Sequence, residues 1–147
     1  MNHRTAGIIG AGLIGRSWAN VFARAGWSVR VWDPVPSQRT SAPALIAESL
    51  HDLARHGLVD EPSAAAARVV VVETLADAVR GAEYVQECGP ETLEAKIAIF
   101  AEMDAAAHAD AILASSTSAI VASRFTSELA GRARCLVAHP VNPPHVV

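Results

Sequence analysis

The chain has 147 residues, 51% hydrophobic and 18% charged, which is enough apolar material for one globular core and too much for a disordered segment. Its net charge of −3 argues against nucleic acid or an anionic membrane surface as the main partner, and no apolar run approaches the length of a membrane span. Cys88 and Cys135 suit neither a disulfide framework nor a zinc site, and the opening residues lack a secretory pattern, so a reducing, cytoplasmic setting is expected.

The first apolar run, "AGIIG", predicts a strand over 6–10. A helix follows, with Leu13, Ile14, Trp18, Val21, Phe22 and Ala25 at helical spacing and Gly26 as its stop. "SVRVWD" predicts a second strand over 28–33. The next helix places Leu45, Ile46, Leu50 and Leu53 on one face, with Ser41 to cap its start and Gly57 its end. Segment 57–67 reads as a loop carrying a short Ala-rich helix, without chemistry. Further strands are expected over 69–73, 84–88, 111–115 and 134–138. Between them lie a helix holding Leu93, Ile97 and Phe100 and another over about 119–130, ended by Gly131. Cys88 falls inside a strand and reads as core. The strands are apolar throughout, as parallel strands buried on both faces are. Strands separated by helices imply right-handed βαβ units. The expectation is therefore one α/β domain over 1–147, with a doubly wound, mainly parallel sheet of Rossmann type and helices on both faces.

"GIIGAGLIGRSWANVFARAGWSVRVWD" carries the strongest local signal. Gly10, Gly12 and Gly15 follow a strand and open a helix, and Asp33 ends the next strand 23 positions after Gly10. Gly10 permits the tight turn, Gly12 leaves room for a pyrophosphate, and Gly15 allows close packing of helix on sheet. The free amides and positive end of that helix would face the phosphates. Asp33 would accept hydrogen bonds from the adenosine ribose. Its charge favours NAD over NADP, because the following Pro34, Val35 and Pro36 supply no arginine for a 2′-phosphate. Flavin and S-adenosylmethionine sites share parts of this pattern.

Polar groups also gather beyond the carboxyl ends of later strands, the edge where open α/β sheets bind ligands. Glu91 and Lys96 follow one strand, Ser115 to Ser118 the next, and His139 and Asn142 the last. Read alone, Glu91 and Lys96 also suit a solvated helix start, and the Ser/Thr cluster a helix cap. Their convergence on the edge that bears the glycine turn favours a site.

"GAGLIGRSWA", "QECGPETLEAK", "ASSTSAI" and "AHPVNPP" together resemble the NAD-binding domain of the L-3-hydroxyacyl-CoA dehydrogenases, and within that group the λ-crystallin branch, which includes L-gulonate 3-dehydrogenase. The resemblance implies that the amides of Leu13 and Ile14 meet the pyrophosphate and that Asp33 holds the adenosine ribose. It puts Glu91 and Lys96 near the nicotinamide-side ribose, Ser118 on the substrate hydroxyl, and Asn142 beside the nicotinamide. It makes His139 the catalytic base, a role suited to a side chain whose unperturbed pKa is about 6.5. The family pairs this histidine with a glutamate farther along, whereas Val147 is only eight residues past His139, and a helical second domain usually follows. The expectation is thus the nucleotide-binding part of a longer oxidoreductase, homodimeric in its full-length form and acting on the 3-hydroxyl of an acyl-CoA or a small hydroxy acid such as L-gulonate. A stand-alone NAD-binding module without catalysis is the other reading.

Overall fold

The computed structural model describes residues 4–146. Six strands form one all-parallel sheet in the order β3-β2-β1-β4-β5-β6. They are β1 (Thr5–Ile9), β2 (Ser28–Trp32), β3 (Val69–Val71), β4 (Tyr84–Glu87), β5 (Ile112–Ser115) and β6 (Cys135–Val137). The chain winds outward from β1 in one direction, then returns to β4 on its other side and winds the opposite way. A crevice therefore opens between the carboxyl ends of β1 and β4, where the connections diverge. The expected α/β architecture is the one observed.

The helices cover both faces. On one side α1 (Leu13–Arg24), α2 (Pro36–Arg55) and α3 (Pro62–Ala66) pack on Ile8, Val29 and Val31. On the other, α4 (Leu75–Val79), α5 (Leu93–Ala106) and α6 (Ser123–Thr126) enclose Ile9, Val85 and Leu113 around the Phe100–Phe125 ring pair. Only β1, β4 and β5 are largely buried on both faces, and β2 keeps Ser28, Arg30 and Trp32 partly exposed. The edge strands β3 and β6 leave Val70, Leu136 and Val137 exposed.

Several local expectations are corrected. α1 does not bury its large residues: Leu13 is exposed, and Gly15, Ala19 and Ala23 form the stripe against the sheet. Small side chains at i, i+4 and i+8 let the helix axis approach closely, and Gly15 is the limiting contact. A Cβ there would lie 1.8 Å from the Gly10 carbonyl oxygen. α2 starts at Pro36, where a proline's fixed φ and missing N–H suit the first turn, so Ser41 lies inside the helix and donates to the Gln38 carbonyl rather than capping. Within α2 Leu45 is exposed while Ile46, Leu50 and Leu53 are buried. Ile97 of α5 is likewise exposed, and Lys96, Phe100 and Met103 take the inner face. α4 was not foreseen; Thr74 caps it by accepting the Asp77 N–H at 3.1 Å. The helix expected over 119–130 shrinks to the single turn α6, and ahead of it side chains described below accept the amides of 118–120. The Ala-rich helix within 57–67 is present as α3.

Candidate functional site

The glycine turn sits at the mouth of the crevice. Gly10 has φ +108°, and a Cβ on it would lie 2.7 Å from the Cys88 carbonyl oxygen, so β1 and β4 approach there as only glycine permits. Gly12 is different. Its φ is −67°, and a Cβ would meet nothing within 4 Å. The fold itself does not require glycine at this position; the open space before the N-terminus of α1 does. Leu13, Ile14 and Gly15 occupy the first turn, whose amides find no carbonyl one turn earlier, and no side chain caps it. These features fit a dinucleotide pyrophosphate.

Asp33, at the end of β2, is nearly buried and braces this turn. Its Oδ2 accepts the Ala11 N–H and its Oδ1 the Val35 N–H, both at 2.8 Å. A carboxylate offers about four acceptor positions, so two remain for ribose hydroxyls. A cleft of about 400 Å³ runs past Gly10, Gly12, Trp32, Asp33 and Gln38 to Cys88 and Gly89. Beyond those two residues a smaller chamber of about 200 Å³ is bordered by Ile14, Glu91, Ser116, Ser118, His139 and Asn142. A hollow of about 500 Å³ between α2 and the His145 segment is larger, but it contains none of the residues of the glycine turn or the chamber.

The chamber holds one close pair of polar side chains: Ser118 Oγ and His139 Nε2 are 3.0 Å apart. The loops bearing them are fixed from both sides of β4. On one face Gln86, fully buried, donates to Ser116 Oγ at 2.6 Å and to the Ala138 carbonyl at 3.2 Å, and its Oε1 accepts the Tyr84 hydroxyl. It thereby ties the segment before Ser118 to the residue before His139. On the other face Glu87, also fully buried, accepts from Lys96 Nζ at 2.7 Å, from the Gly89 N–H and from Ser115 Oγ. Ser115 Oγ in turn accepts the Thr117 N–H at 3.1 Å.

Glu91 completes the loop. It accepts from Thr117 Oγ1, from the Ser118 N–H at 3.0 Å and from the Ala119 N–H at 3.2 Å. Desolvation pushes its pKa upward. The hydrogen bonds from Thr117, Ala119 and Ser118, together with the charge of Lys96, outweigh that and hold the carboxyl below its ordinary range. Neither Glu91 nor Lys96 is a freely solvated helix start. Lys96 is 1% exposed and spends its ammonium on Glu87 and, at 3.2 Å, on the Gly89 carbonyl, with Glu91 3.8 Å away. Cys88 is not strand core, since β4 ends at Glu87. It stands between the two chambers with Sγ 3.2 Å from Ser116 Oγ, and burial pushes its thiol up to about 12. The raised value favours the protonated thiol.

The edge of the sheet thus brings together Gly10, Gly12, Leu13, Ile14, Gly15, Asp33, Glu91, Lys96, Ser118, His139 and Asn142. Sequence reasoning missed Gln86 and Glu87; the available signal was a Gln-Glu pair at the ligand-binding end of an otherwise apolar strand. The family model described as "3-hydroxyacyl-CoA dehydrogenase, NAD binding domain" matches residues 5–147. The chain belongs to this family.

Relatives within reach of the 3-hydroxyacyl-CoA dehydrogenase domain include the λ-crystallin homologue of Rattus norvegicus, 41% identical over 143 residues, which cover 95% of this chain and 45% of that protein. The L-carnitine dehydrogenase of Nocardiopsis dassonvillei is 39% identical over 144 residues, covering 98% of this chain and 43% of that protein. The chain thus spans less than half the length of these relatives. Among solved structures, M. tuberculosis FadB2 superposes with a TM-score of 0.90 at 32% identity, over 99% of this chain and 51% of that one. Escherichia coli 3-hydroxybutyryl-CoA dehydrogenase gives 0.90 at 26% identity, over 99% and 31%. NAD is accordingly the cofactor of this domain family. Among the described residues no helix is long and apolar enough to cross a membrane.

Proposed function

We propose that the protein is the nucleotide-binding part of an NAD-dependent oxidoreductase that oxidises the 3-hydroxyl of an acyl-CoA or of a small hydroxy acid such as L-gulonate. The observation that carries this reading is the Ser118–His139 pair, 3.0 Å apart, at the far end of a cleft that begins at the glycine turn. NAD, when bound, supplies the hydride acceptor. The amides of Leu13 and Ile14 bind the pyrophosphate, Asp33 the adenosine ribose, and Asn142 borders the nicotinamide end. Glu91 and Lys96 fix the wall beside the second ribose. Ser118 donates to the oxygen of the reacting carbinol and orients it. His139 Nε2 takes the hydroxyl proton as the carbon is oxidised. Glu91 supports this geometry by holding the Ser118 amide, and Gln86 by holding the Ala138 carbonyl.

A cytoplasmic location suits the two free thiols, Cys88 and Cys135. Assembly into a homodimer in a longer form is supported by exposed Val121, Leu136, Val137 and Val141 near β6.

The test has two parts. NADH titrated into the chain should bind. In a protein carrying this domain with its substrate-binding portion, NADH formation should be assayed with a 3-hydroxyacyl-CoA, L-gulonate and L-carnitine. His139→Gln should lower turnover by roughly 10²–10⁴-fold with NADH affinity retained. Wild-type turnover by His139→Gln would remove the histidine from the mechanism.

A further inference from the structure

Cofactor choice in this cleft involves more than Asp33. β2 and β3 are paired up to Val31↔Val71, and the Val72 N–H donates to the Val31 carbonyl at 2.9 Å, so the chain leaves β3 at the same edge as Asp33 and enters Glu73 there. Arg39, one turn into α2, lies between them. Its Nη1 donates to the Asp33 carbonyl oxygen at 2.8 Å, and its Nη2 lies 3.3 Å from Glu73 Oε2. The guanidinium side chain is 19% exposed, whereas Glu73 is 84% exposed. Glu73 is also tied to the cleft wall, since its carbonyl accepts Trp32 Nε1–H at 3.2 Å and Trp32 lines the cleft. Pro34, Val35 and Pro36 hold no cation, but α2 delivers one at Arg39, and the fold has paired it.

We propose that Glu73 is a second determinant of NAD over NADP, acting by neutralising Arg39 at the adenosine-ribose end of the cleft. This rests on the assignment of that cleft to the dinucleotide. Asp33 and Glu73 then bring two negative charges to this end of the cleft against the one positive charge of Arg39, so the local charge is negative. A 2′-phosphate, with about two negative charges at neutral pH, meets repulsion from Asp33 and finds the nearby arginine already occupied. NAD, with two neutral hydroxyls there, meets neither obstacle. Asp33 excludes the phosphate directly; Glu73 withholds the cation that would accept it.

The experiment measures NADH and NADPH affinities by calorimetry for the unmodified chain, Glu73→Gln, and the double variant Arg39→Met/Glu73→Gln. Glu73 is a solvent-facing side chain, so Glu73→Gln should fold normally, as circular dichroism would verify. Glu73→Gln should raise the NADPH-to-NADH affinity ratio by about three- to tenfold at low salt, and the gain should shrink as salt screens the freed charge. The double variant should lose the gain. An unchanged ratio in Glu73→Gln overturns the proposal, and so does a gain that survives removal of Arg39. A chain that binds neither dinucleotide would instead refute the cleft assignment itself, and with it the proposal; the unmodified protein reads that outcome separately.

Discussion

Gly12 and Gly15 stand three residues apart and differ in what they demand. Gly15 is an internal necessity: its missing Cβ lets α1 rest on the Gly10 carbonyl. Gly12 is an external one: its missing Cβ leaves the front of α1 open. Gly15→Ala should therefore destabilise the fold, by about 1–3 kcal/mol for an overpacked contact. Gly12→Val should fold with near-native stability and lose NADH affinity. Urea unfolding and an NADH titration on both variants check this; equal losses of stability would contradict the distinction. Glu91 permits a pH test. Its folded-state pKa is lowered, so its hold on the loop is intact above the ordinary glutamate value of 4.5 and fades only as pH falls through the lower folded value. The amide resonances of Ser118 and Ala119 should titrate together with a midpoint below 4.5, and a midpoint at or above it would contradict the assigned bonds. The motif residues were legible because glycine spacing and polar clusters at strand ends are local patterns. The partners that fix them were not, because Gln86, Glu87 and Arg39 act through contacts that only the fold creates.

At the scale of elements, the strands were readable and the helices less so. Short runs rich in apolar residues marked every strand, with bounds close to those observed, although Arg30, Gln86 and Glu87 interrupt them. Large apolar residues misled the reading of α1, where close approach to the sheet selects Gly15, Ala19 and Ala23 instead. The segment after Ser118 looked helical by composition, but only Ser123–Thr126 is a helical turn, and the amides before it go to Glu91 and Thr117. The connection between β4 and α5 carries a buried ion pair, Glu87–Lys96, that no periodicity signals. Removing one partner of such a pair leaves an uncompensated buried charge and costs about 3–5 kcal/mol. Lys96→Met should be destabilised by that order in urea unfolding. The double variant Glu87→Gln/Lys96→Met should recover part of the loss, because the glutamine oxygen still accepts the Gly89 N–H while its NH2 group donates to the Ser115 hydroxyl oxygen in place of accepting from it. A double variant no more stable than Lys96→Met would show that charge is not what the pair balances.

Across the whole molecule, the two helical layers meet the site through one strand. The glycine turn and Asp33 build the cofactor end from β1 and β2, and the Ser118–His139 end is assembled from the loops after β5 and β6. β4 runs between these halves. Its last two residues face opposite ways: Gln86 fastens the loops on one side of the sheet, and Glu87 fastens those on the other. A deletion of one residue would move Glu87 into the place of Gln86 and Cys88 into that of Glu87, sending a carboxylate toward Ser116 and the Ala138 carbonyl and leaving Lys96 without its partner. This gives the gene a sharply uneven tolerance to changes of length. In a library of single-codon deletions sorted for NADH binding, codons 84–88 should be emptied of survivors. Deletions within the exposed turn at 57–61, which joins α2 to α3 on the surface, should persist. The register of that one short strand, more than its composition, is what selection would be seen to guard.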